Sequence, residues 1–238
     1  MISQMIAHRG ASAYAPENTI IAFKKARLLG AEMVEFDVML SKDGIPVVIH
    51  DENIKRTTNG KGLVNTFTFN ELQKFDAGRW FAKKYSGQEI PSFSQVLDVL
   101  CQLDLHANVE IKPIRGHEAE TVGQVLSHIN QHWPHDKSPL LISSFDYHVL
   151  EMVRSFAPDQ PLGFLMHKWQ QDWLQKASEL DCYSVHVNHR LLSQKRVDSI
   201  KEHDFKLLCY TVNRSRRANK LFQMGVDGIF SDYPDLLK

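Results

Sequence analysis

The sequence predicts an α/β protein, a TIM (β/α)8 barrel with a small insertion after its second strand region. Three observations carry that prediction. Short apolar runs rich in Val, Ile, Leu and Phe alternate with helix-period segments about eight times, which is the arithmetic of this barrel. The length, 238 residues, suits one such barrel as a single domain over 1–238. Ionisable residues recur at the ends of the apolar runs, and a barrel gathers the C-terminal ends of its strands on one rim. A doubly wound open sheet is the main alternative, because a linear pattern carries no mark of closure.

Residues 2–7 form an apolar run that ends in His8-Arg9-Gly10 and reads as the first strand. Asn18 or Thr19 can cap a helix over 20–29, which Gly30 stops. A strand over 33–40 completes a βαβ unit. A turn on Lys42-Asp43-Gly44 then leads to a second extended run, 45–49, closed by His50-Asp51. Between 51 and 91 the alternation breaks. Thr57-Thr58-Asn59-Gly60-Lys61-Gly62 is turn chemistry, and Thr68-Phe69-Asn70-Glu71 has the capping-box spacing of one short helix. This stretch reads as an insertion on the barrel, too small to carry a core of its own. Past Pro91 the rhythm returns, with Ser92 capping a helix to residue 103. Strands are expected over 107–111, 140–143, 162–166, 183–187, 206–211 and 228–230. Helices are expected over 118–131, 147–156, 170–179, 192–202 and 214–224, with a short final one from Tyr233.

Lys plus Arg and Asp plus Glu number 28 each, so the formal net charge is zero. A nucleic-acid binder normally shows a basic excess. No basic run is long enough to seek an anionic membrane surface. Neither signal peptide nor transmembrane stretch is recognised. Cys101, Cys182 and Cys209 sit in apolar runs, the pattern of reduced core thiols. The expectation is a cytoplasmic protein with no nucleic-acid partner and no membrane insertion; the sequence carries no signal for oligomeric state.

Residues 33–40 organise the candidate site. Glu35 and Asp37 share one face of that strand, while Val34, Phe36 and Val38 share the other. Two acids side by side on an apolar strand repel, and burial aggravates the repulsion. Positive charge is therefore expected between them. The other strand-end groups are His8-Arg9, His50, Glu110 and Lys112, Ser144, Asn213 and Asp232. Taken singly, each has an ordinary reading. A lone strand-end histidine is usually a loop hydrogen-bonder, and Glu110 with Lys112 fits a solvated cross-strand pair. Gathered on one rim, the set does not. Three carboxylates without cysteine, and with histidines off metal-ligand spacing, suit a hard divalent cation on Glu35, Asp37 and Glu110. Arg9 and Lys112 then leave the site net cationic, ready for an anion such as a phosphodiester. His8 and His50 suit general acid–base work on a phosphoryl group.

His8-Arg9-Gly10, Pro16-Glu17-Asn18-Thr19, Glu35-Phe36-Asp37, His50-Asp51, Arg56-Thr57-Thr58-Asn59-Gly60, Glu110-Ile111-Lys112, Thr211-Val212-Asn213 and Gly225-Val226-Asp227-Gly228 together resemble the motif series of glycerophosphodiester phosphodiesterases. The resemblance runs end to end, in order, and includes the insertion. It implies a TIM barrel that hydrolyses small-molecule glycerophosphodiesters to sn-glycerol 3-phosphate and an alcohol. It also implies one divalent cation, Mg2+ or Ca2+ with Mn2+ as a further option, on Glu35, Asp37 and Glu110. His8 and His50 become the catalytic acid–base pair, and Arg9 and Lys112 hold the phosphate. Relatives often carry Trp where Tyr210 stands here, so Tyr210 is expected to wall the substrate and its hydroxyl to bear on headgroup preference. The same resemblance implies internal attack by a glycerol hydroxyl and a cyclic glycerol phosphate that water then opens.

Phospholipase-like relatives act on the same bond but call for an exposed apolar rim or secretion. A barrel that only binds a phosphorylated partner has no need of a matched histidine pair. A metal-dependent lyase or isomerase would aim a basic Lys, for which Lys112 is the candidate, at a substrate carbon. His186 and His189, at a predicted strand end, read as structural or as substrate contacts. His106, His117, His128, His132, His135, His148, His167 and His203 read as surface residues or loop hydrogen-bonders.

Overall fold

A computed structural model describes residues 2–134, 136–137 and 140–238; His135 lies outside the described residues. The chain opens with β1 (Met5–His8), α1 (Ile20–Leu28), β2 (Met33–Leu40) and β3 (Pro46–Val48). The insertion holds α2 (Phe69–Leu72) and several single-turn 3-10 segments. Then come α3 (Phe93–Gln102), β4 (His106–Ile111), α4 (Glu118–His132), β5 (Leu141–Ser144) and α5 (Tyr147–Phe156). The last part runs β6 (Leu162–Met166), α6 (Trp173–Glu179), β7 (Ser184–Asn188), α7 (Gln194–Lys201), β8 (Lys206–Tyr210), α8 (Ser215–Gln223) and β9 (Gly228–Ser231).

The helices begin where the sequence offers caps. Thr19 accepts from the Ala22 amide at the start of α1, and Asp146 accepts from two amides at the start of α5. Capping boxes close the first turns of α2 (Thr68 with Glu71) and α3 (Ser92 with Gln95). Each supplies acceptors to N–H groups that a helix cannot satisfy internally.

Among the described residues the strands make one sheet in the order β1-β9-β8-β7-β6-β5-β4-β2-β3. β1 also pairs with β2, so the parallel strands close into an eight-stranded barrel and leave β3 as an antiparallel spur on β2. Closure, the point on which the sequence was silent, decides for the (β/α)8 barrel. Outward residues such as Val34, Phe36 and Val38 pack with helix residues in the main core, whereas Ile6, Met33, Leu141, Leu208 and Phe230 plug the barrel floor.

One expectation, the final helix from Tyr233, changes. The insertion has no core of its own: its apolar cluster, Ile54, Val64, Leu72, Ala77 and Ile90, is completed by Met39 of β2 and Val47 of β3. β2 overshoots the barrel, so its end, paired with β3, becomes a wall of the insertion. The residues after Tyr233 form turns, with the Leu236 and Lys238 amides bonded three residues back. So few residues cannot offset the cost of nucleating a helix.

Phe36 packs between Phe23 on α1 and Phe93 on α3, with ring centroids 5.5 and 6.0 Å apart. Phe36→Ala is expected to cost about 3–5 kcal/mol of stability, read as a lower urea midpoint with an unchanged slope.

Candidate active site

Strand register assembles the acids. β2 turns Glu35 and Asp37 into the barrel, and the β2–β4 pairing sets Asp37 beside Glu110. The β1–β2 pairing sets His8 beside Glu35. One carboxylate oxygen from each of Glu35, Asp37 and Glu110 lies within 4.8 Å of the others, the arrangement of a metal-ion site. Burial, together with the charges of Asp37 and Glu110, raises the Glu35 carboxyl well above its ordinary range. Burial and the Asp37 charge push Glu110 up to about 8. Burial also works to raise Asp37, but Arg9, His50, Lys112 and the Asn18 amide outweigh it and hold that carboxyl low. Such a cluster either keeps protons or takes a cation. An all-oxygen donor set suits a hard divalent ion, so the residues present fit the group.

The positive charge expected between the acids is Arg9. Its backbone N–H donates to Glu35 at 3.0 Å, and its Nε stands 3.4 Å from Asp37 in an ion pair. Lys112 adds its Nζ 3.8 Å from Asp37. Arg9 has φ 55° and Asn18 φ 56°, left-handed conformations that cost a non-glycine residue energy. The Asn18 backbone N–H donates to the Arg9 carbonyl at 3.1 Å, while its side-chain amide donates to Asp37 at 2.9 Å. The loop fits because Gly10 (φ +78°) lies against α1, where a Cβ would meet the Ala22 backbone at 2.8 Å.

Each predicted catalytic histidine is anchored from behind. His8 Nδ1 lies 2.7 Å from Asp232, whose carboxylate also accepts from Ser12 and Asn213. His50 Nδ1 lies 2.5 Å from Asp51. A carboxylate at Nδ1 fixes that nitrogen as the N–H donor and leaves Nε2 free. Both Nε2 atoms face the triad, His8 at 4.0 Å from Glu35 and His50 at 4.0 Å from Asp37. Burial lowers the His50 proton affinity, and the Arg9 and Lys112 charges add to that against the pull of Asp37.

A cavity of about 220 Å³ opens above this cluster and is lined by His8, Arg9, Glu35, His50, Glu110 and Tyr210. Tyr210 donates its hydroxyl to the Met166 carbonyl at 2.7 Å and meets Phe145 edge-on at 5.9 Å. Phe145 and His167 also line the cavity; the sequence assigns Phe145 no role, and His167 is exposed, as expected, while forming part of the wall. Each is the first residue past a barrel strand, and that position was the available signal. His186 lines the cavity too, wholly buried and bonded to Ser184 at 2.9 Å. It fits because Gly163 on the next strand has no side chain: a Cβ there would meet the imidazole at 2.6 Å. His189 turns instead toward Arg217.

The profile of the glycerophosphoryl diester phosphodiesterase family matches residues 8–236. The chain belongs to that family. A glycerophosphodiester phosphodiesterase of Caldanaerobacter subterraneus subsp. tengcongensis is 36% identical over 241 residues, covering 100% of this chain and 97% of the relative. One from Bacillus subtilis is 33% identical over 250 residues, covering 97% of this chain and 84% of the relative. Among solved structures, an Oleispira antarctica phosphodiesterase in complex with the product sn-glycerol-3-phosphate superposes with a TM-score of 0.96 at 38% identity. That match covers 98% of this chain and 94% of the other. As a member of this family the chain is an enzyme, a phosphoric diester hydrolase.

Glu110→Gln tests the electrostatics directly. Unfolded, Glu110 ionises near 4.5; folded, it holds its proton up to about 8. Across that window the unfolded state sheds a proton that the native state keeps, so the parent loses stability as pH rises. Glutamine has no such loss. In ion-free buffer the two proteins should differ least below pH 4.5. The variant's advantage should grow toward pH 8, each gain of about 1 kcal/mol appearing as about 2–4 °C in Tm.

Proposed function

We propose that the enzyme hydrolyses glycerophosphodiesters to sn-glycerol 3-phosphate and an alcohol, with one divalent cation on Glu35, Asp37 and Glu110 and with His8 and His50 as the acid–base pair. The observation that carries this reading is the two histidines, each anchored at Nδ1 by an aspartate and presenting Nε2 4.0 Å from a triad carboxylate. The product bound to the Oleispira antarctica phosphodiesterase supports the glycerol phosphate half of the substrate. A divalent cation held by the triad, with Mg2+, Ca2+ and Mn2+ as candidates, supplies Lewis-acid stabilisation of charge on a phosphoryl oxygen.

The chain's own residues supply the rest. Arg9 and Lys112 hold the phosphate and stabilise its developing negative charge. Tyr210, braced against Phe145, walls the substrate. One histidine takes the proton of the glycerol hydroxyl next to the ester as that oxygen bonds to phosphorus. The other gives a proton to the departing alcohol oxygen as its bond to phosphorus breaks. The tethered hydroxyl is favoured over free water by its high effective concentration. Water then opens the cyclic glycerol phosphate with the two histidine roles reversed. The cysteines Cys101, Cys182 and Cys209 are free thiols, which supports a cytoplasmic, reducing setting. No helix among the described residues is long and apolar enough to cross a membrane.

Adding a divalent cation should raise Tm in the parent, by about 2.7 kcal/mol of stabilisation at a hundredfold excess over Kd, and by much less in Glu110→Gln. Equal shifts in both proteins would remove Glu110 from the site. His8→Ala and His50→Ala should each lower kcat by about 10²–10⁴ while keeping the cation-induced shift. The chemical path is tested with glycerophosphocholine against its 2-deoxyglycerol analogue, with coupled detection of the released product and a chelator control. Internal attack requires the missing hydroxyl, so the analogue should bind and scarcely turn over; comparable kcat values would establish direct attack by water instead.

A further inference from the structure

Two residues from motifs singled out in the sequence, Glu17 of Pro16-Glu17-Asn18-Thr19 and Arg56 of Arg56-Thr57-Thr58-Asn59-Gly60, have no role in the chemistry above. In the fold they meet. Arg56 comes from the insertion, 39 residues from Glu17, and its guanidinium bridges two carboxylates at once. Its NH1 and NH2 donate to the two Glu17 oxygens at 2.7 and 2.8 Å. Its Nε and NH2 donate to the two Asp51 oxygens at 2.5 and 3.2 Å. Each carboxylate has a second partner. Glu17 also accepts from Arg9 NH1 at 2.8 Å, and Asp51 holds His50 Nδ1. The charges alternate without a break from His50 through Asp51, Arg56 and Glu17 to Arg9, which reaches Glu35 and Asp37.

We propose that Arg56 is a positioning residue: it locks the His50–Asp51 pair to the Glu17–Arg9 pair, so that the two loops flanking the triad keep one geometry. The inference rests on the function proposed above. An isolated surface ion pair would carry little weight, since such pairs contribute little and Arg56 is 43% exposed. This one is different in two respects. It is bidentate on both sides, a geometry that only a planar guanidinium offers. Its partners are more deeply set, with the Glu17 side chain 11% exposed and Arg9 17%. The Asp51 carboxyl is held down to about 2, burial being outweighed by its hydrogen bonds from Arg56 and His50. With Arg56 gone, Asp51 is free to rotate and the His50 imidazole loses its fixed orientation. A displacement of about 1 Å in a reacting group is enough to cost about 10²-fold in rate.

The test measures steady-state kinetics of Arg56→Ala, Arg56→Lys and His50→Ala, and of His50→Ala combined with Arg56→Ala, well below each protein's Tm. Arg56→Ala should lower kcat by about 10–100-fold, leave KM near the parent value and keep the cation-induced rise in Tm. Low-millimolar guanidinium chloride should restore part of that kcat, because the exposed site can take the free ion, whereas equal sodium chloride should not. Arg56→Lys, which cannot bridge both carboxylates, should stay slow. In the His50→Ala background, removing Arg56 should cost clearly less than in the parent, because the part of its effect that runs through His50 is already lost; an undiminished cost overturns the proposal. If Arg56→Ala folds poorly, Arg56→Gln serves with the same guanidinium arm. A variant that loses Tm but keeps kcat, or raises only KM, overturns the positioning role. Near-normal kcat in His50→Ala overturns the proposed acid–base function itself, and so separates the two failures.

Discussion

Three carboxylates, Glu35 and Asp37 buried and Glu110 half-buried, have oxygens within 4.8 Å of one another, and the surrounding residues are arranged to meet that concentration of charge. Such a group is unfavourable by itself, since burial and like charge both oppose ionisation. The surroundings are arranged to offset it. Arg9 is bent into a left-handed conformation that aims both its backbone N–H and its side chain at the acids. Asn18, also left-handed, donates to Asp37, and Lys112 approaches from the other side of that carboxylate. These residues neutralise Asp37 far better than they neutralise Glu35 or Glu110, which keep raised proton affinities. The unevenness leaves the cluster short of positive charge, the condition under which it takes a cation.

The barrel meets this constraint through register. Residues on one face of a strand alternate, so a single rung holds His8 with Glu35 and the next inward rung holds Asp37 with Glu110. Asn108, Ser143, Ser184 and His186 are buried inside the barrel, where barrels of this kind usually pack branched apolar side chains. They are interleaved with apolar ones: Asn108 pairs with Leu141, and Phe230 lies 5.2 Å from the His186 ring. The stability of the fold is kept in the layer between strands and helices, where the Phe23, Phe36 and Phe93 rings pack. Folding energy and chemistry thus occupy opposite faces of the same strands.

Much of this was legible in the sequence because it is periodic or local. The alternation of strand and helix, the caps at Thr19, Ser92 and Thr68, and the two-residue spacing of Glu35 and Asp37 depend on neighbours a few positions away. The final turns were misread as a helix because propensity says nothing about how many residues remain to pack one. That Met39 and Val47 complete the insertion's apolar cluster was not legible, because both belong to the strand pattern of the barrel. His167 is exposed, as its sequence suggests, but only the cavity's shape shows that it also forms part of the wall.

From the sequence come the groups themselves and which of them share a strand face: Glu35 with Asp37 on β2, Glu110 with Lys112, and histidines and arginine at strand ends. Period-two geometry makes that a local matter. The tertiary structure alone decided that the sheet closes and that His8 finds Asp232 at 224 residues' separation. It alone decided that Arg56 reaches across the insertion to Glu17. Those are pairings between distant segments, set by strand register and loop packing, and a charge in a sequence carries no record of the partner that neutralises it.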